Sequence, residues 1–343
     1  MSVYINGIGL VSPQPTLDNQ VFLEKTIALE HTYFPISEPV YKQFIHPREL
    51  RRMSKIIRNG LVAAKIALAE AALENPDAII TGTGLGCAID TEKFLINLIQ
   101  NKETLLTPTA FIQSTHNTLG GSIAIGLNCH QYNMTYVHRG FSFESALLDA
   151  ELMIQSDEIH NALVGGFDEM TDNHIKLLQS TAMYHPEKGA KAGQGAGFFV
   201  LENEKKEGAY AELLGLETIY NPKNTVVQVK EKIDFLLQEH DISPDHLVVM
   251  MGHNGVQKEE AVYQEISEAC FPQQLMTHFK HLCGEYYTAS AFAFWAASQI
   301  LKRQYIPESL VYSGTHGKKT IEHVLIYNQF QEKEHSLILL RKC

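Results

Sequence analysis

Ala162-Leu163-Val164-Gly165-Gly166 ends a pattern that begins at Gly140. From Gly140 to Ser156 the chain reads as a helix, with Phe143, Leu147, Ala150 and Ile154 on one face, and a short apolar strand follows that stops at glycines. The same succession returns later. Ser290 to Arg303 reads as a more apolar helix, followed by the strand Ser309-Leu310-Val311-Tyr312-Ser313-Gly314. A helix apolar on nearly all sides belongs inside a molecule, between two sheets. Two further pairs recur in the same order around this one. Val3-Tyr4-Ile5-Asn6-Gly7-Ile8-Gly9-Leu10 resembles Tyr210 to Leu216, and Ala78-Ile79-Ile80-Thr81-Gly82-Thr83-Gly84 resembles Val248 to Gly255. Apolar runs ending at glycines are the pattern of buried strands that stop at a site. Arg51 to Glu74 and Lys223 to His240 are amphipathic helices in corresponding places. Strands close each half: Gly197 to Glu202 in the first, His323 to Tyr327 with Ser336 to Leu340 in the second. The repeat predicts a duplicated α/β fold, with halves over residues 1–205 and 206–343. No linker or low-complexity tract parts them, so they are expected to share a core.

The whole chain has 343 residues, 45% of them hydrophobic and 20% charged, which excludes a disordered or fibrous protein. A net charge of -11 argues against nucleic acid as a partner. The longest apolar run, Ala289 to Leu301, is too short and too rich in serine to cross a bilayer, so no membrane association is expected. The opening MSVYINGIGL has no basic stretch before its apolar residues, and no signal peptide is expected. Five cysteines without regular spacing predict reduced thiols and a cytoplasmic location.

Several motifs then converge. Gly193-Gln194-Gly195-Ala196-Gly197-Phe198-Phe199-Val200-Leu201-Glu202 is similar to the Gly-Glu-Gly-Ala-Gly segment of the β-ketoacyl-acyl-carrier-protein synthases, within the thiolase-like superfamily. Ala162 to Glu169 resembles that family's Ala-Gly-Gly-x-acid stretch. Thr107-Pro108-x-x-Phe111 through Tyr132-Asn133-Met134-Thr135 resembles the segment leading to its nucleophile. The resemblance runs in order over nearly the whole chain. It implies a five-layer α-β-α-β-α fold built from two βαβαβαββ halves, and an obligatory dimer. It also implies an acyl carrier protein as partner, with no cofactor on this chain because the carrier brings the phosphopantetheine.

The resemblance equally shows what is missing. Such enzymes place a cysteine at a sharp strand-to-helix turn, where a helix N-terminus and backbone N–H groups activate it and hold an oxyanion. That position falls on Gly140, in His138-Arg139-Gly140-Phe141-Ser142, and glycine carries no nucleophile. Ser142 would need a base beside it. His253, in Met250 to Gly255, matches the family's first histidine, either as a catalytic group or as a structural one at a strand end. The Lys-x-x-x-Gly-His motif keeps Lys280 and Gly284 but puts Glu285 where the second histidine stands. An ionised glutamate cannot donate to a thioester carbonyl, whereas a protonated one could; burial favours the neutral form and Lys280 the charged one. The closing Gly-Phe-Gly-Gly loop corresponds to Asn328 to His335, which retains only the phenylalanine.

Other candidates have plainer readings. Gly82 to Gly86 lacks the spacing of a nucleotide loop, so a strand-end turn is expected. His278-x-x-His281-x-Cys283 fits no common zinc pattern, and no metal is expected. Cys87, Cys129 and Cys270 read as small buried apolar residues. Arg48, Arg51, Arg52 and Lys55 form a basic run that is either a solvated helix start or, by the resemblance, a rim that docks an acidic carrier protein.

Three functions follow. The first is a non-condensing subunit of fatty acid or polyketide (including polyene) biosynthesis, like a chain length factor, paired with an active ketosynthase homologue. Phe111, His116, Phe141 and Phe143 would then form a wall at the interface that limits chain length by bulk. The second is an active 3-oxoacyl synthase, acyl transferase or decarboxylase with rearranged machinery. The third is a homodimeric acyl-binding protein.

Overall fold

The structure, a computed structural model, describes all residues except 29–32, 52, 105, 107, 182–183, 185–188, 244–245 and 315–319. The first strand, β1 (Val3–Val11), sets the layering. Val3, Ile5, Ile8 and Leu10 all enter one core, because a bulge between Ile5 and Gly7 restores their face after the alternation breaks. On the other face Gly7 and Gly9 lie directly under helix α2 (Lys55–Glu70), where any Cβ would collide with the carbonyls of Ala67 and Ala63. The short helix α1 (Pro47–Leu50) precedes α2, which lies within the expected span from Arg51 to Glu74 and is shorter at both ends.

β2 (Ala78–Gly82) leads to helices α3 (Ala88–Gln100), α4 (Pro108–Gln113) and α5 (Thr118–Leu127). β3 (Tyr132–Tyr136), α6 (Ser142–Gln155), β4 (Asn161–Asp168), α7 (Asp172–Gln179) and β5 (Gly195–Glu202) follow. The second run is β6 (Ala211–Tyr220), α8 (Thr225–Glu239), β7 (Leu247–Met251), α9 (Gln257–Cys270), β8 (Leu275–His278) and α10 (Lys280–Cys283). It ends with α11 (Ser290–Arg303), β9 (Val311–Ser313), β10 (His323–Phe330) and β11 (Glu334–Arg341).

Among the described residues the strand order is β3-β2-β4-β5-β1-β6-β11-β10-β7-β8-β9. Outward from the central β1–β6 pair, each side repeats one pattern. β5 and β11 run antiparallel to their neighbours, β4 and β10 pair in parallel with β2 and β7, and β3 and β8 lie beyond. One expected correspondence is corrected here. β10, not the strand after Ser309, is the counterpart of β4; β9 is a short antiparallel edge addition to β8. Its local sequence is strand-like, but only β10 carries enough apolar residues to be buried on both faces.

Three cores separate five layers. One lies between α2, α5 and the first strands, another between α8, α9 and the last strands. The central one holds α6 and α11. Twelve successive residues of α11, Ser290 to Leu301, are buried, as its all-round apolar surface requires. Alternation divides the strands between cores: Val248 and Met250 face the centre, Val249 and Met251 the outer layer. The thiolase-like α/β fold class expected from the sequence is the one observed. No helix among the described residues is long and apolar enough to cross a membrane.

Candidate functional site

Between β3 and α6 the chain makes a tight turn through a 3-10 segment, Arg139–Phe141. Arg139 takes the left-handed conformation at φ 53°, a strained one for a long side chain, and Gly140 follows it, buried. Neither position holds a thiol. The Gly140 N–H, a donor of the kind that could hold an oxyanion, instead donates to Glu334 Oε2 at 2.8 Å. Burial raises the Glu334 carboxyl above its ordinary value, and the bond from Gly140 and the charge of Arg139 pull it back. Ser142 lies deeper; its hydroxyl donates to the carbonyls of Arg139 (2.7 Å) and Thr83 (2.9 Å) and accepts from His138 N (2.9 Å). It closes the turn and, among the described residues, meets no base.

Glu334 reaches Gly140 because residues 328–335, expected as a closing loop, are mostly strand. Phe330 pairs with Glu334, and only residues 331–333 make the turn, with Gln331 and Glu332 both left-handed. His335 pins the hairpin: its Nδ1 meets the Tyr327 hydroxyl at 3.0 Å and its Nε2 the Glu332 carbonyl at 3.1 Å. A Cβ at Gly140 would lie 2.6 Å from Glu334 Oε2 and 2.9 Å from Phe330 Cβ. Gly140→Cys is therefore expected to cost about 1–3 kcal/mol through overpacking, read from denaturant midpoints. It should show no acyl adduct by intact mass after exposure to an acyl thioester; a stoichiometric adduct would mean that the turn still activates a thiol.

Gln329, next to Phe330, links this turn to a second cluster. Lys280 Nζ donates to Gln329 O at 3.3 Å and pairs with Glu285 Oε2 at 2.7 Å, both side chains being almost fully buried. Asn254 Nδ2 donates to Glu285 Oε2 (2.8 Å) and Glu259 Oε2 (2.9 Å), and Gln329 Nε2 donates to the same Glu259 oxygen at 2.8 Å. Burial, reinforced by the Glu285 charge, pushes Glu259 up to about 7. Glu285 is thus held as an acceptor by an ammonium and an amide.

Beside this network lies a cavity of about 360 Å³ whose lining includes His253, His278, His281, Lys280, Glu285 and Glu260. His253 Nδ1 meets Glu260 Oε2 at 2.6 Å, and its ring stacks on Tyr312 with centroids 4.2 Å apart. Burial alone would raise Glu260, but bonds from His253 and from the N–H groups of Gly255 and Asn254 outweigh it and hold the carboxyl below its ordinary range. Burial, with help from His281 and His253, lowers His278 to about 3, so it is neutral at neutral pH. Among the described residues no group of three His, Cys, Asp or Glu side chains is arranged to hold a metal ion. Burial raises the thiols of Cys87, Cys270, Cys283 and Cys343, which favours their protonated form; Cys87 is buried as expected, whereas Cys129 and Cys270 are only half-buried.

The remaining expected residues are scattered. Arg48 and Arg51 are exposed beside α1; Lys55 is exposed but paired with Glu38 at 2.6 Å; Arg52 lies outside the described residues. Phe111 is exposed on α4 against Phe94, His116 is exposed beside Gly86, and Phe141 is half-buried. Phe143 parts from this group. It is sealed in the central core against Phe199 and Phe294 (centroids 5.6 and 5.7 Å), because α6 turns that face inward, so it does not reach the face carrying Phe111. The expected strand-end turn at Gly82 to Gly86 spends its N–H groups on Asp168, which accepts from Gly84 and Leu85. Sequence reasoning missed Asn254, Glu260 and Glu334. The first two were within reach, since they flank His253 across the start of α9; Glu334 is 194 residues from Gly140, and no spacing could join them.

Residues 39–207 match the β-ketoacyl synthase N-terminal domain family. No curated protein sequence is significantly similar to the chain. Solved structures are similar over the full length. A β-ketoacyl synthase from Burkholderia phymatum STM815 has 14% identity and a TM-score of 0.78, with 100% of this chain and 99% of that one covered. The ishigamide ketosynthase/chain length factor has 16% identity and a TM-score of 0.77, with the same coverage. A chain of AntDE:AntF, a type II polyketide synthase acyl-carrier protein in complex with its ketosynthase bound to the hexaketide, has 16% identity and a TM-score of 0.74, again covering 100% and 99%. Residues 39–207 thus carry a β-ketoacyl synthase N-terminal domain, and over its full length the chain shares the fold of these solved structures.

Proposed function

We propose that the chain is a non-condensing subunit of fatty acid or polyketide biosynthesis, acting like a chain length factor beside an active ketosynthase. One observation carries this reading: the turn before α6 holds Arg139-Gly140 in place of a thiol, and its backbone donor is already taken by Glu334. Without a nucleophile no acyl group is held, and without a free donor no tetrahedral oxyanion is stabilised. The second histidine's role is also lost, because Glu285 only accepts. A partner would sit on the free edge of β3, where Tyr132 and Met134 are exposed and Val137 follows, exposed as well. An unpaired apolar strand edge invites pairing with another chain. The ishigamide protein, described as a ketosynthase/chain length factor, supports a ketosynthase as that partner, and the AntDE:AntF complex supports a carrier protein as another, for which the exposed Arg48 and Arg51 offer cations to an acidic surface.

The test is reconstitution. Alone with malonyl and acyl carriers the chain is expected to give no condensation product. Co-expressed with a cysteine-bearing ketosynthase homologue, it is expected to co-purify. Met134→Asp, which puts a charge on the β3 edge, should weaken that association at least tenfold without unfolding the chain. Condensation by the chain alone would end this reading. A second reading, an acyl transferase or decarboxylase with altered machinery, is favoured by His253, which lines the cavity with its Nδ1 fixed by Glu260. It predicts decarboxylation or acyl transfer that His253→Asn abolishes.

A further inference from the structure

Away from the site, α11 ends beside the segment that follows β1. There Asn19, Gln20, Tyr210, Gln299, Lys302 and Arg303 line a cavity of about 210 Å³. Its walls are built rather than incidental. Trp295, Gln299 and Arg303 succeed one another at four-residue spacing on α11, and all three bind Asn19. Trp295 Nε1 donates to Asn19 Oδ1 at 3.1 Å; Gln299 Nε2 and an Nη of Arg303 donate to the Asn19 carbonyl. Arg303 Nε donates to Gln299 Oε1 at 2.8 Å. The Asn19 amide in turn donates to Ile8 O and Glu70 Oε1, 2.8 Å each, and the Tyr210 hydroxyl donates to Glu70 as well, so that carboxylate is engaged by the walls.

The two cations are less well matched. Among the described residues no carboxylate lies within ion-pair distance of Lys302 or Arg303. The Lys302 ammonium rests 3.6 Å from the centroid of the Tyr210 ring. Burial lowers its affinity for its proton; the nearby Arg303 adds to this and Glu70 opposes it. Arg303 uses its Nε and one Nη inward, which leaves further N–H groups of a guanidinium already fixed in orientation. A point-charge ammonium beside an anchored fork is the donor pair that matches a phosphate. The cavity is smaller than the roughly 300–1,000 Å³ that hold drug-sized ligands, which suits a group of phosphate size.

We infer that this cavity is an anion site for a phosphate group, supplied either as the free ion or as the phosphoryl end of a small metabolite. The inference does not depend on the fate of the condensing site.

Thermal shift and calorimetric titration of the full chain test it. Inorganic phosphate at constant ionic strength should raise the melting temperature saturably, because a ligand bound only by the native state stabilises it by mass action. Lys302→Gln, on the solvent side, should need at least tenfold more phosphate for the same shift, and Arg303→Lys likewise because the fork is lost. Glycerol phosphate is the second arm. Half-saturation at tenfold lower concentration than phosphate assigns the site to a phosphorylated metabolite, and equal or weaker binding assigns it to the free ion. A shift that climbs without saturating, or that saturates at the same concentration in wild type and both variants, overturns the proposal.

Discussion

Lys280→Met is expected to lose about 3–5 kcal/mol of folding stability, measured from urea midpoints, because it strips the partner from a buried carboxylate. Lys280 and Glu285 meet at 2.7 Å with both side chains almost fully enclosed, and Glu259 lies one amide away through Asn254. Without the ammonium, two carboxylates would share Asn254 in a buried place. They must then take up a proton or leave the interior. The double variant Lys280→Met/Glu285→Leu should recover most of the loss, since an apolar pair of similar bulk carries no desolvation cost. A single-variant loss under about 1 kcal/mol, or a double variant as unstable as the single one, would show that the pair is not the keystone of the cavity wall.

Glu144→Gln should have an opposite and pH-dependent effect. Glu144 stands on α6 inside the central core; Ser336 Oγ donates to its Oε1 at 2.9 Å, and its Oε2 has no hydrogen-bond partner among the described residues. Burial raises the carboxyl to about 7 from an ordinary 4.5, against hydrogen bonding, including that from Ser336, that pulls it down. A raised value means that the folded state holds the proton more tightly than the unfolded one. The resulting stability is complete below about 4.5 and is lost as pH climbs through about 7. At about 1.4 kcal/mol per pH unit, that interval is worth about 3 kcal/mol. The glutamine variant removes the titration. It should match wild type near pH 5 and exceed it by up to about 3 kcal/mol at pH 8, in parallel urea series. Equal stability at both pH values would show that water or a rearranged partner already satisfies the charged form.

Much of the fold was legible because it rests on local periodicity. α11 is apolar on every side, and that alone puts it inside the molecule, where it meets strands from both arms of the one continuous sheet. The doubled order of strands and helices identifies the architecture, since a run of buried strands separated by amphipathic helices has few ways to pack; β4 runs on past the glycines at which its apolar pattern stops, to Asp168. The misassignment of the strand after Ser309 shows where this stops. A short apolar run has the same local pattern at a sheet edge as at its centre, and only pairing with β7 and β11 distinguishes β10.

The sequence by itself determined that no thiol stands at the turn before α6 and that Gly284-Glu285 follows Lys280 at the end of α10, because residue identity is written there directly. What these residues meet was decided by tertiary structure. Glu334 reaches Gly140 from 194 residues away, and Asn254 joins Glu285 to Glu259, only because the β10–β11 hairpin and the end of β7 converge on one place. Hydrogen bonds and ion pairs act over about 3 Å, and which groups come that close depends on packing rather than on their separation along the chain.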